Sequence, residues 1–168
     1  MSTTRGDAML LRVLIETSRA KRGLEIGVFE GYGAINMGIA FERTGGRLIS
    51  IEVDPARAKT SEANVRQAKL QKTVQVLCAD ALELLPRLRG KFDFVFIDAV
   101  KKDYLRYLKA VEPKLKAGAV VVADNVIVHE AEMKGFLNYI RRSPDYETVI
   151  LRASMEKGDG MSVSCKLR

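Results

Sequence analysis

The chain has 168 residues, of which 47% are hydrophobic, so it suits one domain with a full hydrophobic core and needs no second domain. Its formal net charge is +7, but the lysines and arginines are scattered, so charge alone favours a role in solubility over a nucleic-acid arm. The sequence contains no run of about 20 apolar residues that could span a bilayer, and its start MSTTRGDAML differs from a secretory signal. Its two cysteines, Cys78 and Cys165, lack CxxC spacing. We therefore expect a cytoplasmic protein with no membrane segment, two reduced thiols and no redox function.

Apolar, β-branched runs alternate with helical patterns along the chain. An amphipathic helix is predicted first, at residues 7–20, behind a possible cap at Asp7. Strands are then predicted at residues 23–28, 47–53, 74–79, 92–98 and 119–124, with helices between them at residues 33–44, 54–69, 82–88 and 104–115. A helix at residues 130–143 and strands at residues 147–154 and 161–167 complete the series.

The order of these elements predicts the architecture. Repeated strand, helix and strand indicate a parallel sheet covered by helices on both faces. The last two strands are separated only by MEKGDG, residues 155–160, which is too short for a crossover helix, so they should pair antiparallel. We therefore expect a doubly wound α/β fold with a seven-stranded sheet that is mostly parallel and whose last strand is antiparallel.

Ligands of such sheets bind outside the carboxyl ends of the strands, and this sequence is acidic at each of those points. The first five predicted strands end in EIGVFEGYG (residues 25–33), in Glu52 and Asp54, in Asp80, in Asp98, and in Asp124 with Asn125. Acids that face one crevice repel one another and cost stability unless a ligand uses them. The pattern therefore favours a binding site over ordinary helix caps.

The turn after the first strand is rich in glycine. Gly27 and Gly31 would let backbone amides and the positive end of the next helix approach a ligand, although such glycines are often packing devices. Their spacing differs from the GxGxxG of pyrophosphate binding, and Glu25 and Glu30 would repel phosphates, so a cofactor with a positive charge and a carboxylate fits better.

The second and third strand ends suit a nucleoside. Glu52, about 20 residues after the glycine turn, could accept hydrogen bonds from both ribose hydroxyls, or could merely precede the cap Asp54. Asp80, with Ala81, would lie beside the base and accept from an exocyclic amine. A role of Asp80 as the N-cap of the short helix is compatible with this.

The fourth and fifth strand ends offer hard oxygen ligands. Asp98, Asp124 and Asn125 suit an octahedral Mg²⁺, Mn²⁺ or Ca²⁺ with open positions. The one histidine, His129, is more typical of a helix start or a surface position, which disfavours zinc. Lys101 follows Asp98 by three residues and could act as a general base in the same crevice, or could be solvated at a helix start.

With these residues in this order, the chain resembles the cation-dependent class of S-adenosylmethionine-dependent O-methyltransferases, which includes catechol and caffeoyl-CoA O-methyltransferases. The resemblance runs from Leu24 onward and rests on LEIGVFEGYG, ISIEVDP, ADALELLP, FDFVFIDAVKKDY, VVADNV and GDGMSVSCK. It implies a Rossmann-like fold and a single methyltransferase domain at residues 1–168 with a shortened N-terminal helical region. It also implies cofactor contacts by Glu25, Gly27, Gly31, Tyr32, Glu52, Asp80, Ala81 and Asp98, metal ligation by Asp98, Asp124 and Asn125, and catalysis by Lys101 and Asp98.

The resemblance implies methyl transfer from S-adenosylmethionine to a hydroxyl of a small catechol-like or phenolic acceptor, with Lys101 as the base and a divalent cation, Mg²⁺ first and Mn²⁺ or Ca²⁺ as alternatives. It also implies a homodimer. Gly33 departs from the family, which usually has a serine or threonine there to help hold the methionine carboxylate. Two alternatives stay open: methylation of a tRNA wobble nucleoside, and binding of S-adenosylmethionine without turnover.

Overall fold

The computed structural model describes residues 3–153 and 158–168. The strands are β1 (Arg22–Ile26), β2 (Arg47–Glu52), β3 (Val74–Cys78), β4 (Phe92–Ile97), β5 (Leu115–Ala123), β6 (Tyr146–Leu151) and β7 (Met161–Lys166). The helices are α1 (Arg5–Ser18), α2 (Tyr32–Thr44), α3 (Pro55–Gln67), α4 (Ala81–Leu84), α5 (Tyr104–Val111) and α6 (Lys134–Arg142). Three short 3₁₀ turns span Leu85–Arg87, Lys101–Asp103 and Glu112–Lys114 in this part of the chain.

Over the described residues, seven strands form one sheet in the order β3-β2-β1-β4-β5-β7-β6. Strands β1 to β5 pair in parallel, whereas β7 lies antiparallel to both β5 and β6. This confirms the predicted mostly parallel sheet with an antiparallel last strand. From β1 the chain continues to β2 and β3 on one side of the sheet, whereas from β4 it continues to β5 on the other side. The boundary between β1 and β4 is therefore the topological switch point, and ligands of such sheets bind at the carboxyl ends of the strands there.

Helices cover both faces of the sheet. Apolar side chains of α4, α5 and α6 pack on one face, around Leu108 and Leu137. Those of α1, α2 and α3 pack on the other, around Leu11, Met37 and Val65. No helix in residues 3–153 or 158–168 is both long and apolar enough to cross a membrane.

The helix starts follow local signals, with one correction. Asp54 caps α3 and accepts hydrogen bonds from the backbone N–H groups of Ala56 and Arg57, as the Asp-Pro pair predicts. The cap of α1 is Thr4, so the prediction of Asp7 as the cap was wrong. Asp7 lies in the first turn and completes a capping box, in which its carboxylate accepts from the Thr4 N–H at 2.8 Å.

Several predicted boundaries were also wrong, among them the start of β5, which was predicted at residue 119 and lies at Leu115, and the end of α4, which was predicted at residue 88 and lies at Leu84. The helix predicted to reach residue 115 ends at Val111, because Pro113 lacks an N–H and a 3₁₀ turn follows, after which β5 begins at Leu115. The helix predicted from residue 130 begins at Lys134, because residues 126–133 form turns. The strand predicted at residues 147–154 ends at Leu151. Its predicted last residue and residues 155–157 of the connecting turn lie outside the described residues.

Candidate functional site

The carboxyl ends of the central strands meet at one edge of the sheet. Hydrogen bonds of the sheet continue one residue past the strands, since Asp98 N donates to Ile26 O at 2.9 Å and Asp124 N donates to Ile97 O at 3.0 Å. A cavity of about 510 Å³ opens at this edge. Its lining includes the predicted site residues Gly27, Glu52, Asp80, Ala81, Asp98 and Lys101. The other predicted site residues, all of them described, lie outside that lining: Glu25, Gly31, Tyr32, Asp124 and Asn125.

The glycine turn needs its glycines. Gly27 has φ +90°, and a Cβ atom at this position would collide with the carbonyl oxygen of Asp98. Glycine therefore allows the main chain after β1 to contact the main chain after β4. Gly31 has φ +91° and precedes α2 as its N-cap, without a side-chain cap among the described residues. The first backbone N–H groups of α2, beginning with that of the exposed Tyr32, can therefore bind an anion.

Glu52 holds the glycine turn by its carboxylate. Its Oε2 accepts from the N–H groups of Val28 and Phe29 at 3.2 and 2.8 Å, and its Oε1 accepts from the N–H of Asp54 at 3.1 Å. Phe29 has φ +55°, a conformation that needs such support. The sequence predicted the position of Glu52 at the cavity but not these bonds. A carboxylate has about four lone-pair sites, so these contacts leave capacity for a ligand.

Glu25 is buried within β1. Ser50 Oγ donates to its Oε2 at 2.6 Å. Burial raises the pKa of Glu25 to about 8, against the lowering effect of the Ser50 hydrogen bond, and the nearby charges of Asp98 and Glu52 raise it further. Glu25 is therefore protonated at neutral pH.

Gly33 lies directly beside the Glu25 carboxyl group. A Cβ atom at Gly33 would be 2.8 Å from Glu25 Oε1 and 3.3 Å from the hydroxyl oxygen of Thr3. Glu25 therefore contacts the beginning of α2 instead of lining the cavity. A hydroxyl group is present close to the place where the family usually carries a serine or threonine, but Thr3 supplies it from the segment before α1.

Asp80 is the N-cap of α4, and its Oδ1 accepts from the N–H of Leu82 at 2.7 Å. The capping role is thus confirmed, and Asp80 and Ala81 also line the cavity. A contact of Asp80 with a nucleobase stays a prediction.

A polar cluster is formed by Asp98, Lys101 and Tyr104. Lys101 Nζ donates to Asp98 Oδ1 at 2.8 Å and to the hydroxyl of Tyr104 at 2.9 Å, and that hydroxyl donates to the carbonyl oxygen of Asp124 at 3.2 Å. The side chains of Lys101 and Asp98 are only 15% and 13% exposed, whereas Lys102 is exposed. Of the two adjacent lysines, Lys101 alone lines the cavity.

Tyr104 is a member of this cluster that the sequence analysis treated only as a helix start. Burial, with the charges of Asp98 and Asp124 nearby, raises the pKa of its hydroxyl well above the usual range, so the hydroxyl keeps its proton. It can then accept from Lys101 and donate to Asp124 at once. The signal in the sequence was the spacing of three residues from Lys101 to Tyr104.

Asp124 and Asn125 are buried after β5. Because Ile97 and Ala123 are paired in the sheet, Asp98 and Asp124 follow neighbouring positions on neighbouring strands. Asp124 Oδ1 accepts from the N–H of Asn125 at 2.7 Å, and Asn125 has φ +62°. Two carboxylates and one amide thus lie just past the ends of β4 and β5.

Asp159, which was not among the residues predicted for the site, contacts Asn125. Its Oδ2 accepts from Asn125 Nδ2 at 3.0 Å, and its Oδ1 accepts from the N–H groups of Ile127, Val128 and Gly160. Burial disfavours the charged carboxylate, but these donors hold the pKa of Asp159 below its usual range. The Gly-Asp-Gly stretch that contains it had been interpreted only as a turn.

The donor set at the ends of β4 and β5 fits a hard cation. Within residues 3–153 and 158–168, no group of three or more His, Cys, Asp or Glu side chains is arranged to hold a metal ion. The candidate set has two carboxylates, and its third donor is an amide oxygen, which suits Mg²⁺ or Mn²⁺ with open positions for water or substrate. His129 instead contacts Glu132 at 2.7 Å in the turns before α6.

Comparison with known proteins shows which family the chain belongs to. The O-methyltransferase family model matches residues 1–135. The catechol O-methyltransferase of Niastella koreensis is 36% identical over 131 residues, which cover 76% of this chain and 59% of that protein. The chain therefore spans less than two thirds of the length of this curated relative, and the same holds for the catechol O-methyltransferase of Mycobacterium tuberculosis, at 53%.

Solved structures resemble almost the whole chain. Cofactor-bound Rv0187 from MTB has a TM-score of 0.93 at 27% identity, with 99% of this chain and 82% of that chain covered. The O-methyltransferase TomG from Streptomyces achromogenes, in complex with SAM, has a TM-score of 0.89 at 27% identity and the same coverage of 99% and 82%. Because the family model covers most of its residues, the chain belongs to the O-methyltransferase family.

Proposed function

We propose that this protein is an S-adenosylmethionine-dependent O-methyltransferase that acts on a hydroxyl group of a small catechol-like or phenolic acceptor with the help of a divalent cation. The observation that carries the proposal is the ion pair of Lys101 with Asp98 at the cavity, next to the oxygen donors at the end of β5. Family membership and the SAM complex of TomG support it. A single domain at residues 1–168, a homodimer and a cytoplasmic location stay predictions.

The cofactor is assigned to the ends of β1, β2 and β3. S-adenosylmethionine supplies a methyl group that is already activated by its sulfonium charge. The uncapped start of α2 after Gly31 can receive its carboxylate, with the Tyr32 N–H among the donors. Glu52 Oε1 has about one lone-pair site left for a ribose hydroxyl, and Asp80 with Ala81 lies at the same cavity for the base. Gly27 and Asp98, which also line the cavity, would contact the cofactor near its sulfonium end.

The acceptor is assigned to the ends of β4 and β5. Asp98, Asp124 and the Asn125 amide oxygen would hold a divalent cation, which supplies the Lewis acidity that favours ionisation of a bound hydroxyl. As a neutral amine, after its own proton has passed to solvent, Lys101 would be placed to take the proton from that hydroxyl, since its Nζ lies at the cavity between Asp98 and Tyr104. Tyr104 holds the Nζ in place and keeps its own proton throughout.

The test is transfer of labelled methyl from S-adenosylmethionine to a panel of catechols and phenols, with Mg²⁺ or with a chelator. We expect label on adjacent dihydroxy compounds that requires Mg²⁺, because a bidentate acceptor uses two open positions of the cation. Equal transfer in the chelator would contradict the role of the cation. Binding of S-adenosylmethionine without transfer to any acceptor would favour the non-catalytic alternative.

A tRNA acceptor is the weaker candidate. Basic side chains do gather on the surface, in a groove of about 830 Å³, but this groove lies at the amino ends of β1 to β3, at the opposite edge of the sheet from the cavity. Those basic residues are Lys21, Arg22, Arg47, Arg66 and Lys72. Bulk tRNA is therefore included in the same assay, and label on tRNA alone would overturn the small-molecule proposal.

A further inference from the structure

Two segments distant in sequence are joined beside the carboxylates. Residues 124–128 follow β5, and residues 158–160 precede β7, which lies next to β5 in the sheet. The N–H of Val126 donates to the carbonyl oxygen of Gly160 at 3.0 Å. Gly160 permits this approach, because a Cβ atom there would lie 2.8 Å from Ile127 Cδ1 and would also collide with the carbonyl oxygen of Leu151.

Asp159 lies at the centre of this junction, and its two carboxylate oxygens accept hydrogen bonds from different groups. Oδ1 accepts from the N–H groups of Ile127 and Val128, each at 3.1 Å, and from its neighbour Gly160 at 2.7 Å. Oδ2 accepts from Asn125 Nδ2 at 3.0 Å. The main-chain bonds of Oδ1 fix the carboxylate, so Oδ2 is presented to Asn125 in a fixed position.

The chemistry of the pair fixes the orientation of the Asn125 amide. An ionised carboxylate only accepts hydrogen bonds, so the NH₂ group of Asn125 must face Asp159 and the amide oxygen must face away from it. An NH₂ group cannot bind a cation, whereas the oxygen can. We propose that Asp159 is a positioning residue that holds the Asn125 amide with its oxygen available to a divalent cation. This inference rests on the proposed metal-dependent function.

The variant Asp159→Asn tests the inference because it changes one atom. Its Oδ1 can keep the main-chain donors, so its NH₂ group takes the place of Oδ2 and meets the NH₂ group of Asn125. The Asn125 amide then turns over and presents nitrogen to the cation. We expect Mn²⁺ binding about 10- to 100-fold weaker, measured by electron paramagnetic resonance of free Mn²⁺ with saturating S-adenosylhomocysteine.

A second substitution should restore the Mn²⁺ affinity that Asp159→Asn lowers. In the double variant Asn125→Asp with Asp159→Asn, one oxygen of residue 125 accepts from the new NH₂ group and the other faces the cation. The total charge of the pair is unchanged. We expect Mn²⁺ affinity to return to within about threefold of the original chain, since each donor again meets an acceptor. A residue that merely supported the fold would not be rescued in this way.

The matched control is Asp145→Asn, which removes the same charge from an Asp that pairs with Arg168 before β6. It should leave Mn²⁺ affinity unchanged, and affinity for S-adenosylhomocysteine without metal should be the same in each variant. Equal Mn²⁺ binding by the original chain and Asp159→Asn would overturn the inference and leave the proposed function intact, as would a double variant that is not rescued. If Asp159→Asn does not fold, the Mn²⁺ affinity of the double variant alone tests the inference. An original chain that does not bind Mn²⁺ overturns the proposed function and the inference together.

Discussion

The carboxyl edge of the sheet is built in two ways, at the ends of β1 and β2, called here the glycine-turn half, and at the ends of β4 and β5, the carboxylate half. In the glycine-turn half, main-chain N–H groups satisfy the acid Glu52. In the carboxylate half, by contrast, the Asp98 carboxylate accepts from a side chain, that of Lys101. Glu52 is thus held by main-chain donors and Asp98 by a side-chain donor, so substitutions should damage the two halves differently.

The largest effect is expected from Asp98→Ala in the carboxylate half. This change removes a proposed metal ligand and the partner of Lys101 together. Methyl transfer to a catechol with Mg²⁺ should fall to the background rate. Because the atoms nearest to a Cβ position at Gly27 belong to the main chain of Asp98 and Ala99, the glycine turn should persist and S-adenosylhomocysteine should still bind. Transfer that continues with Mg²⁺ would contradict both assigned roles of Asp98.

The next largest effect is expected from Lys101→Met, which keeps the length of the side chain and removes the base. The rate of transfer should fall by about 10²- to 10⁴-fold, the usual contribution of general base catalysis. Lys102→Met is the matched control, because Lys102 is its exposed neighbour outside the cavity lining. If both variants lose activity equally, the assignment of Lys101 as the base is wrong.

Gly27→Ala tests the contact between the two halves. The new Cβ would collide with the carbonyl oxygen of Asp98 at a φ of +90°, so the free energy of unfolding should fall by about 2–5 kcal/mol in urea denaturation. Gly118→Ala is the control, since Gly118 also has positive φ, at +80°, but open space around its Cβ position. It should cost only about 1–2 kcal/mol. Equal costs would show that the collision with Asp98 is relieved.

The smallest effect is expected from pH acting on Glu25. The pKa of Glu25 is about 8 in the folded chain and near 4.5 in the unfolded chain, so between these values the unfolded chain releases a proton that the folded chain keeps. Stability from this group is full below the lower value and is lost as the pH rises towards the higher one. From about pH 6 to about pH 8 the loss is about 2 kcal/mol.

Glu25→Gln should remove this dependence and keep the acceptor for Ser50. Urea denaturation of both chains at the two pH values gives the slopes to compare. A variant with the same slope as the original chain would mean that Glu25 does not keep its proton in the folded state. Ser50→Ala is a useful second variant, because it removes the 2.6 Å hydrogen bond and leaves Glu25 buried.

Most of the fold could be predicted from periodicity, but boundaries and strand order could not. The helix predicted to residue 115 failed at Pro113, where a 3₁₀ turn lets β5 begin early. The helix predicted at residues 130–143 is present and buries Phe136 and Ile140, yet α6 begins only at Lys134. A periodic pattern indicates the buried face of a helix and says little about the turns that lead into it.

The site could be predicted where it depends on strand ends. Asp98 and Asp124 were located because parallel strands end at one edge. Glu52 was located too, but its bonds to the glycine turn were not, since spacing gives the position of a side chain and not its direction. Asp159 was missed because its partner Asn125 lies 34 residues away and the sequence does not say that β7 enters the sheet between β5 and β6.

That placement of β7 gives the protein an order of assembly. On a ribosome the strands β1 to β5 emerge before β6 and β7 and can pair in parallel, whereas the strand that carries the chain from Asp159 into the sheet is made after them. Until β7 inserts, β6 has no neighbour in the described sheet, and Asn125 lacks its partner Asp159. A nascent chain would thus complete the glycine turn first, and the insertion of β7 is the step that completes the carboxylate half.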